Sequence, residues 1–226
     1  MKLVPPAVER RYYAVTGPLI QALIRAGVRP NTLTTIGTAL VVASAVAFAV
    51  GAIRLGGFLL LLSGLLDTLD GAVARGSGAA TKFGAFYDST LDRIGDGATF
   101  IGIAAYLLHT PGVAYRELAI VLCMVATLAT LVVSYARARA EGLGLDCKVG
   151  FAQRAERIIG LGLASLVVGA GPRALVLEAI VAILAVAGIV TVVQRFLYVY
   201  RITGGADASR RAPEVTPAAT DTYVKG

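Results

Sequence analysis

Between residues 30 and 53 the chain carries no charged side chain, and charge-free runs recur at 97–115, 118–136 and 179–194. A helix needs about 20 predominantly apolar residues to cross the hydrocarbon of a bilayer. Runs of this length leave little freedom: the chain is expected to be an all-α integral membrane protein. The composition agrees, with 57% hydrophobic residues, 15% charged residues and no Trp, which excludes an ordinary soluble domain. No signal peptide is expected, because a basic, proline-containing segment precedes the first long apolar run near residue 31. The net charge of +7 does not point to nucleic acid, since the cations sit at the ends of apolar segments. Cys123 and Cys147 have neither metal spacing nor an evident pairing.

The pattern predicts six transmembrane helices, at 31–52, 54–77, 81–109, 114–141, 152–172 and 174–201. A cytoplasmic N-terminus places 18 of the 21 Lys and Arg residues on the cytoplasmic side, leaving only Arg54, Arg116 and Arg173 outside. The C-terminus is then cytoplasmic too. Ahead of the first span, Val8, Tyr12, Val15, Leu19 and Leu23 recur at helical spacing with Arg10, Arg11 and Arg25 beside them. Such a stripe suits an amphipathic helix lying at the membrane interface, bent at Gly17-Pro18, although an ordinary packed helix has the same spacing. Three parts follow: a juxtamembrane helix at 1–29, a six-helix domain at 30–202 and a disordered cytoplasmic tail at 203–226.

Against this apolar background the stretch from Asp67 to Asp92, "DTLDGAVARGSGAATKFGAFYDSTLD", holds four aspartates. Asp67 and Asp70 are three apart near the end of one span, and Asp88 and Asp92 are four apart near the start of the next. Each pair therefore shares a helix face. The short glycine-rich connection is expected to make the two helices antiparallel neighbours with converging acidic faces. Four such carboxylates cost on the order of 10 kcal/mol to insert, and they repel one another. Arg75, Lys82 and Arg93 are too few to offset them, whereas divalent cations are suited to do so. Hard oxygen ligands favour Mg²⁺ or Mn²⁺, ions that keep positions open for phosphate oxygens. Gly71, Ala74 and Gly84 lack bulk beside the acidic faces and leave a groove that Arg75 can reach. Small residues at this spacing also serve helix packing.

The pattern Asp67-x2-Asp70-Gly71-x2-Ala74-Arg75-x8-Gly84-x3-Asp88-x3-Asp92 resembles the signature of the CDP-alcohol phosphotransferase family at every specified position. The resemblance implies a homodimeric enzyme that moves a substituted phosphate from a CDP-linked donor to an alcohol, with release of CMP. It implies that Asp67, Asp70, Asp88 and Asp92 ligate two divalent ions per site, and that Asp92 is also the general base. It further implies a donor-nucleotide site at Gly71, Ala74, Arg75 and Gly84, with Thr81, Asn31 and Thr34 resembling further donor contacts. Asn31 equally suits a helix N-cap. A lateral opening to lipid favours CDP-diacylglycerol as the donor.

Arginines close the cytoplasmic ends of the last three spans in "SYARARAEG", "QRAER" and "VVQRF". Arg137, Arg154 and Arg195 are candidates for holding an acceptor phosphate, although positive-inside placement alone also puts arginines there. These segments resemble the phosphatidylinositol-phosphate synthase branch, which implies myo-inositol 1-phosphate as acceptor. Glycerol 3-phosphate, as in phosphatidylglycerophosphate synthases, is the competing acceptor. From another class, a cation transporter could use the aspartates as its binding site, but it would want them nearer mid-membrane. The chain is therefore expected in a prokaryotic inner or plasma membrane, with its active site cytoplasmic and no nucleic-acid partner.

Overall fold

Each reversal of the chain falls at a glycine or proline. Gly51 and Gly78 adopt φ of 83° and 68°, a left-handed backbone that costs glycine little and ends the preceding helix. The computed structural model describes residues 6–150 and 154–204, with side chains from residue 16 onward. Among these, seven α-helices follow one another without a strand: α1 Pro6–Arg25, α2 Pro30–Ala49, α3 Ile53–Gly76, α4 Lys82–His109, α5 Arg116–Gly142, α6 Arg154–Val167 and α7 Leu175–Ile202. A single 3₁₀ turn, Pro172–Ala174, leads into α7.

Four of these helices are long and apolar enough to cross a bilayer: α2, α3, α5, and α7 with the turn before it. The other two expected spans, α4 and α6, are not among these four. Helix α4 has the length, but Lys82, Asp88, Asp92, Arg93 and Asp96 crowd its first half. Helix α6 has 14 residues among those described. At 1.5 Å per residue this described part covers about 21 Å of a hydrocarbon core of about 30 Å. It ends at Val167 rather than 172 because Gly169 and Gly171 take positive φ.

Helix α1 runs through Gly17 and Pro18 and packs on α3. Ile20 is its buried residue there, with Leu33, Leu69 and Val73, whereas Leu19 of the expected stripe is exposed. Leu23 of that stripe packs on the same cluster, beside Ile24. The side chains of Val8, Tyr12 and Val15 lie outside the described residues, as does the chain from 205 onward that belongs to the expected tail.

Close helix approach follows from small residues, the means by which helices associate where lipid removes the hydrophobic drive. A side chain at Gly57 would lie 2.7 Å from the Gly162 carbonyl oxygen, so α3 and α6 meet nearly backbone to backbone. Ser44 of α2 donates to the Gly56 carbonyl at 2.7 Å, a buried bond that fastens α2 to α3. The anticipated α3–α4 hairpin is corrected here: each of the two helices packs principally on α2, which separates them along their length. The five-residue link holds their ends together and no more.

Candidate active site

The acidic ends of α3 and α4 open on either side of the first turns of α2. Helix α2 begins with Pro30 at its first position and Arg29 as N-cap, so Asn31 is inside the first turn and not the cap. One turn on, Thr34 Oγ1 donates to Asp70 Oδ2 at 2.7 Å. This bond satisfies a carboxylate that is only 6% exposed and fixes its direction. On α4, Thr81 is the N-cap: its hydroxyl accepts from the Gly84 amide at 2.9 Å.

Between them lies a cavity of about 170 Å³ whose walls include Asn31, Thr34, Asp70, Gly71, Ala74, Arg75, Thr81, Gly84 and Asp88. Every residue expected at the donor nucleotide lines this one space. The two glycines keep it open. A methyl on Gly71 would come 3.1 Å from Arg75 Nη1, and one on Gly84 would come 3.1 Å from Thr81 Oγ1 and 3.3 Å from Asn31 Oδ1.

Asp67 and Asp92 face away from this cavity toward α6. There Arg154 Nη1 bonds both Asp67 Oδ2 and Asp92 Oδ1, the latter at 2.8 Å, and Arg154 Nε lies 3.6 Å from Asp96 Oδ1. Arg157 Nη2 reaches the other Asp96 oxygen at 2.8 Å. Arg93 Nη2 lies 3.5 Å from Asp92 Oδ2. Among the described residues no three His, Cys, Asp or Glu side chains form an ion-coordinating group as they stand. A cation is nonetheless accommodated: the guanidinium occupies the place where carboxylates of α3 and α4 converge. The donor set is all oxygen and suits a hard divalent ion, which Asp67, Asp70, Asp88 and Asp92 could hold.

The three expected acceptor arginines differ in surroundings. Arg154 is within the acidic group. Arg195 is 5% exposed and donates from Nε to the Val149 carbonyl at 2.9 Å and from Nη1 to the Val133 carbonyl, tying α7 to α5. Arg137 is exposed and pairs with Glu141 at 2.8 Å. They still belong to one basic string, since Arg195 lies within electrostatic reach of Arg137 and Arg157, and Arg157 within reach of Arg154 and Arg93.

Two residues escaped sequence reasoning. Asp96 follows Asp92 by one turn and shares its face, a spacing that could have flagged it. Gly37 left no such signal; a methyl there would lie 3.3 Å from Asp67 Oδ1, so its absence lets that carboxylate rest against α2. His109 is exposed at the far end of α4, and both cysteines are buried and free. Beside Asp67 and Arg154, an apolar groove of about 420 Å³ runs between α3 and α6, bounded by Leu61, Leu65, Ile158 and Ile159.

The profile of the CDP-alcohol phosphatidyltransferase family matches residues 28–194. A phosphatidylinositol phosphate synthase of Mycobacteroides abscessus is 39% identical over 193 residues, spanning 85% of this chain and 86% of the relative. An archaetidylinositol phosphate synthase of Methanothermobacter thermautotrophicus is 40% identical over 169 residues, 75% and 82% of the two chains. The crystal structure of Mycobacterium tuberculosis phosphatidylinositol phosphate synthase with CDP-DAG bound superposes with a TM-score of 0.71 at 33% identity, covering 94% of this chain and all of that one. The same enzyme in complex with manganese and citrate gives 0.72 at 32% identity, over 93% and 96%.

Proposed function

This chain belongs to the CDP-alcohol phosphatidyltransferase family, and from that premise we propose that it transfers a phosphatidyl group from CDP-diacylglycerol to the hydroxyl of myo-inositol 1-phosphate, yielding phosphatidylinositol phosphate and CMP. The single observation that carries this reading is the cavity that gathers Asn31, Thr34, Gly71, Ala74, Arg75, Thr81 and Gly84 against Asp70 and Asp88. The cytidine nucleotide occupies that space, and its diphosphate reaches the carboxylates. A diacylglycerol tail is supported by the apolar groove that ends at Asp67 and Arg154. The acceptor is supported by the two relatives: their names differ in the lipid and share inositol phosphate.

Asp67, Asp70, Asp88 and Asp92 hold the divalent ions, Mg²⁺ or Mn²⁺ and two per site, which when bound offset charge on the diphosphate and on departing CMP. The chain's own groups do the rest. Thr34 holds Asp70 in one orientation. Asp92 takes the proton of the acceptor hydroxyl as its oxygen bonds the phosphorus in line and the P–O bond to CMP breaks. Arg154, with Arg137 and Arg195, receives the acceptor phosphate, and leaving Asp92 frees that carboxylate to act as base. A transporter reading is disfavoured, since the acidic residues gather at one end of α3 and α4 among arginines.

The six-span arrangement of α2 to α7 with α1 at the interface, cytoplasmic termini, a domain of residues 30–202 and a homodimer complete the reading. The test is transfer by the purified full chain with CDP-diacylglycerol and Mg²⁺ or Mn²⁺, comparing labelled myo-inositol 1-phosphate, glycerol 3-phosphate and free inositol. Label from inositol phosphate should enter lipid in step with CMP release. Preferential use of glycerol 3-phosphate would overturn the acceptor.

A further inference from the structure

The packing partners of α4 are α2 and α5, and those of α6 are α3 and α7. The two helices face each other across the acidic cleft and are joined chiefly by side chains. Asp96 is the centre of that junction. Its two oxygens lie 2.8 Å from Arg157 Nη2 and 3.6 Å from Arg154 Nε. Its side chain is 9% exposed, beside guanidinium groups 8% and 19% exposed. Arg154 Nε is buried without a hydrogen-bond partner, so a small shift toward Asp96 completes that bond.

Arg154 holds three carboxylates of unequal standing. Two of them, Asp67 and Asp92, are wanted by divalent ions under the proposed reaction, and a cation bound there competes with the guanidinium. Asp96 is one turn further along α4 and takes no part in that exchange. It is the partner that Arg154 keeps when the other two are withdrawn, and it fixes Arg157 at the same time. Without it, a long side chain released from Asp67 and Asp92 would lose its anchor, and the entropy of holding it still would fall on acceptor binding.

We infer that Asp96 is a positioning residue for the acceptor: it anchors the Arg154–Arg157 pair of α6 to α4 so that Arg154 stays at the mouth of the cleft, ready for the acceptor phosphate, when Asp67 and Asp92 are engaged elsewhere. The inference rests on the phosphatidyl-transfer reading above and adds to it a residue outside the eight-position pattern.

Asp96→Asn and Asp96→Glu in the full chain test it, with initial rates measured against inositol 1-phosphate at saturating CDP-diacylglycerol and the reverse. The Asn variant should raise the acceptor KM by about tenfold or more, with the donor KM and kcat within about threefold, as loss of one charge-assisted bond predicts. The Glu variant, which keeps the charge, should recover most of that loss. Thermal unfolding of both variants accompanies the kinetics; should Asn not fold, the Glu variant still decides, its acceptor KM rising about two- to fourfold alone because the carboxylate is displaced by one methylene. An unchanged acceptor KM in both variants overturns the inference, as does a fall in kcat with both KM values unmoved. If the unaltered protein transfers label to none of the phosphorylated acceptors, the reaction itself is wrong and the inference falls with it; transfer by the unaltered protein with an indifferent Asp96 sinks the inference alone.

Discussion

Asp70 and Asp92 sit on the same acidic patch and are handled differently by their neighbours. Thr34 holds Asp70 with a neutral hydroxyl at 2.7 Å, a bond compatible with a second, cationic partner on the free oxygen. Asp92 is held by Arg154, a partner that can leave. The first suits a ligand and the second a base. Asp92→Asn should therefore lower kcat by about 10²- to 10⁴-fold while CDP binding, followed by calorimetry, changes little. Gly84→Val should act on the other step: its Cβ falls 3.1 Å from Thr81 Oγ1 and 3.3 Å from Asn31 Oδ1, beside the cavity. The donor KM should rise about tenfold with kcat nearly intact. At this scale much of the site is visible in the sequence, because Asp67 to Asp92 obey helical spacing within one short stretch. Asp96 and Gly37 were not, for a common reason. Asp96 matters through Arg157, 61 residues away, and Gly37 through Asp67 on another helix. Local spacing puts Asp96 on the face of Asp92 without naming its partner, and it says nothing of Gly37.

Among the helices, α2 decides the geometry. It lies between α3 and α4 because glycines on its partners admit it: a methyl on Gly95 of α4 would come 3.1 Å from Val41 Cγ1. A five-residue link fixes that two helix ends are close, not that the helices stay together, so the hairpin anticipated from the sequence yields to a three-helix arrangement. The acidic faces converge on Arg154 as a result, with a cleft left open between α4 and α6. Helix lengths were legible wherever apolar runs were unbroken. They were not where Gly169 and Gly171 cut α6 short, since glycine is common inside membrane helices and does not announce a stop. Gly57→Leu should separate α3 from α6, whose backbones meet there, at a cost of about 1–3 kcal/mol. Thermal unfolding in detergent should show the loss, and transfer should fall with it because α6 carries Arg154. Ser44→Ala, which removes one buried bond to α3, should cost about 1 kcal/mol in the same assay and leave both KM values alone.

For the whole molecule, the distribution of Lys and Arg predicts that the acidic cleft faces the cytoplasm. Cys123 and Cys147 are 2% and 0% exposed, so the unaltered chain gives little background to a membrane-impermeant thiol reagent. A cysteine placed at Gly112, between α4 and α5, should label from outside intact cells, and one at Gly78, between α3 and α4, only after permeabilisation. The reverse pattern would turn the protein over and remove its site from cytoplasmic CDP-diacylglycerol. The central claim is that one small cavity seats the cytidine nucleotide and that the carboxylates beside it hold divalent cations in place of Arg154. A structure determined with Mn²⁺ and CDP tests it most directly, with manganese located by its anomalous scattering. The account predicts the nucleotide between Asn31, Gly71 and Gly84, manganese in contact with Asp67, Asp70, Asp88 and Asp92, and Arg154 withdrawn to Asp96. Nucleotide bound elsewhere, with Arg154 still bridging Asp67 and Asp92 and no manganese beside them, would contradict it.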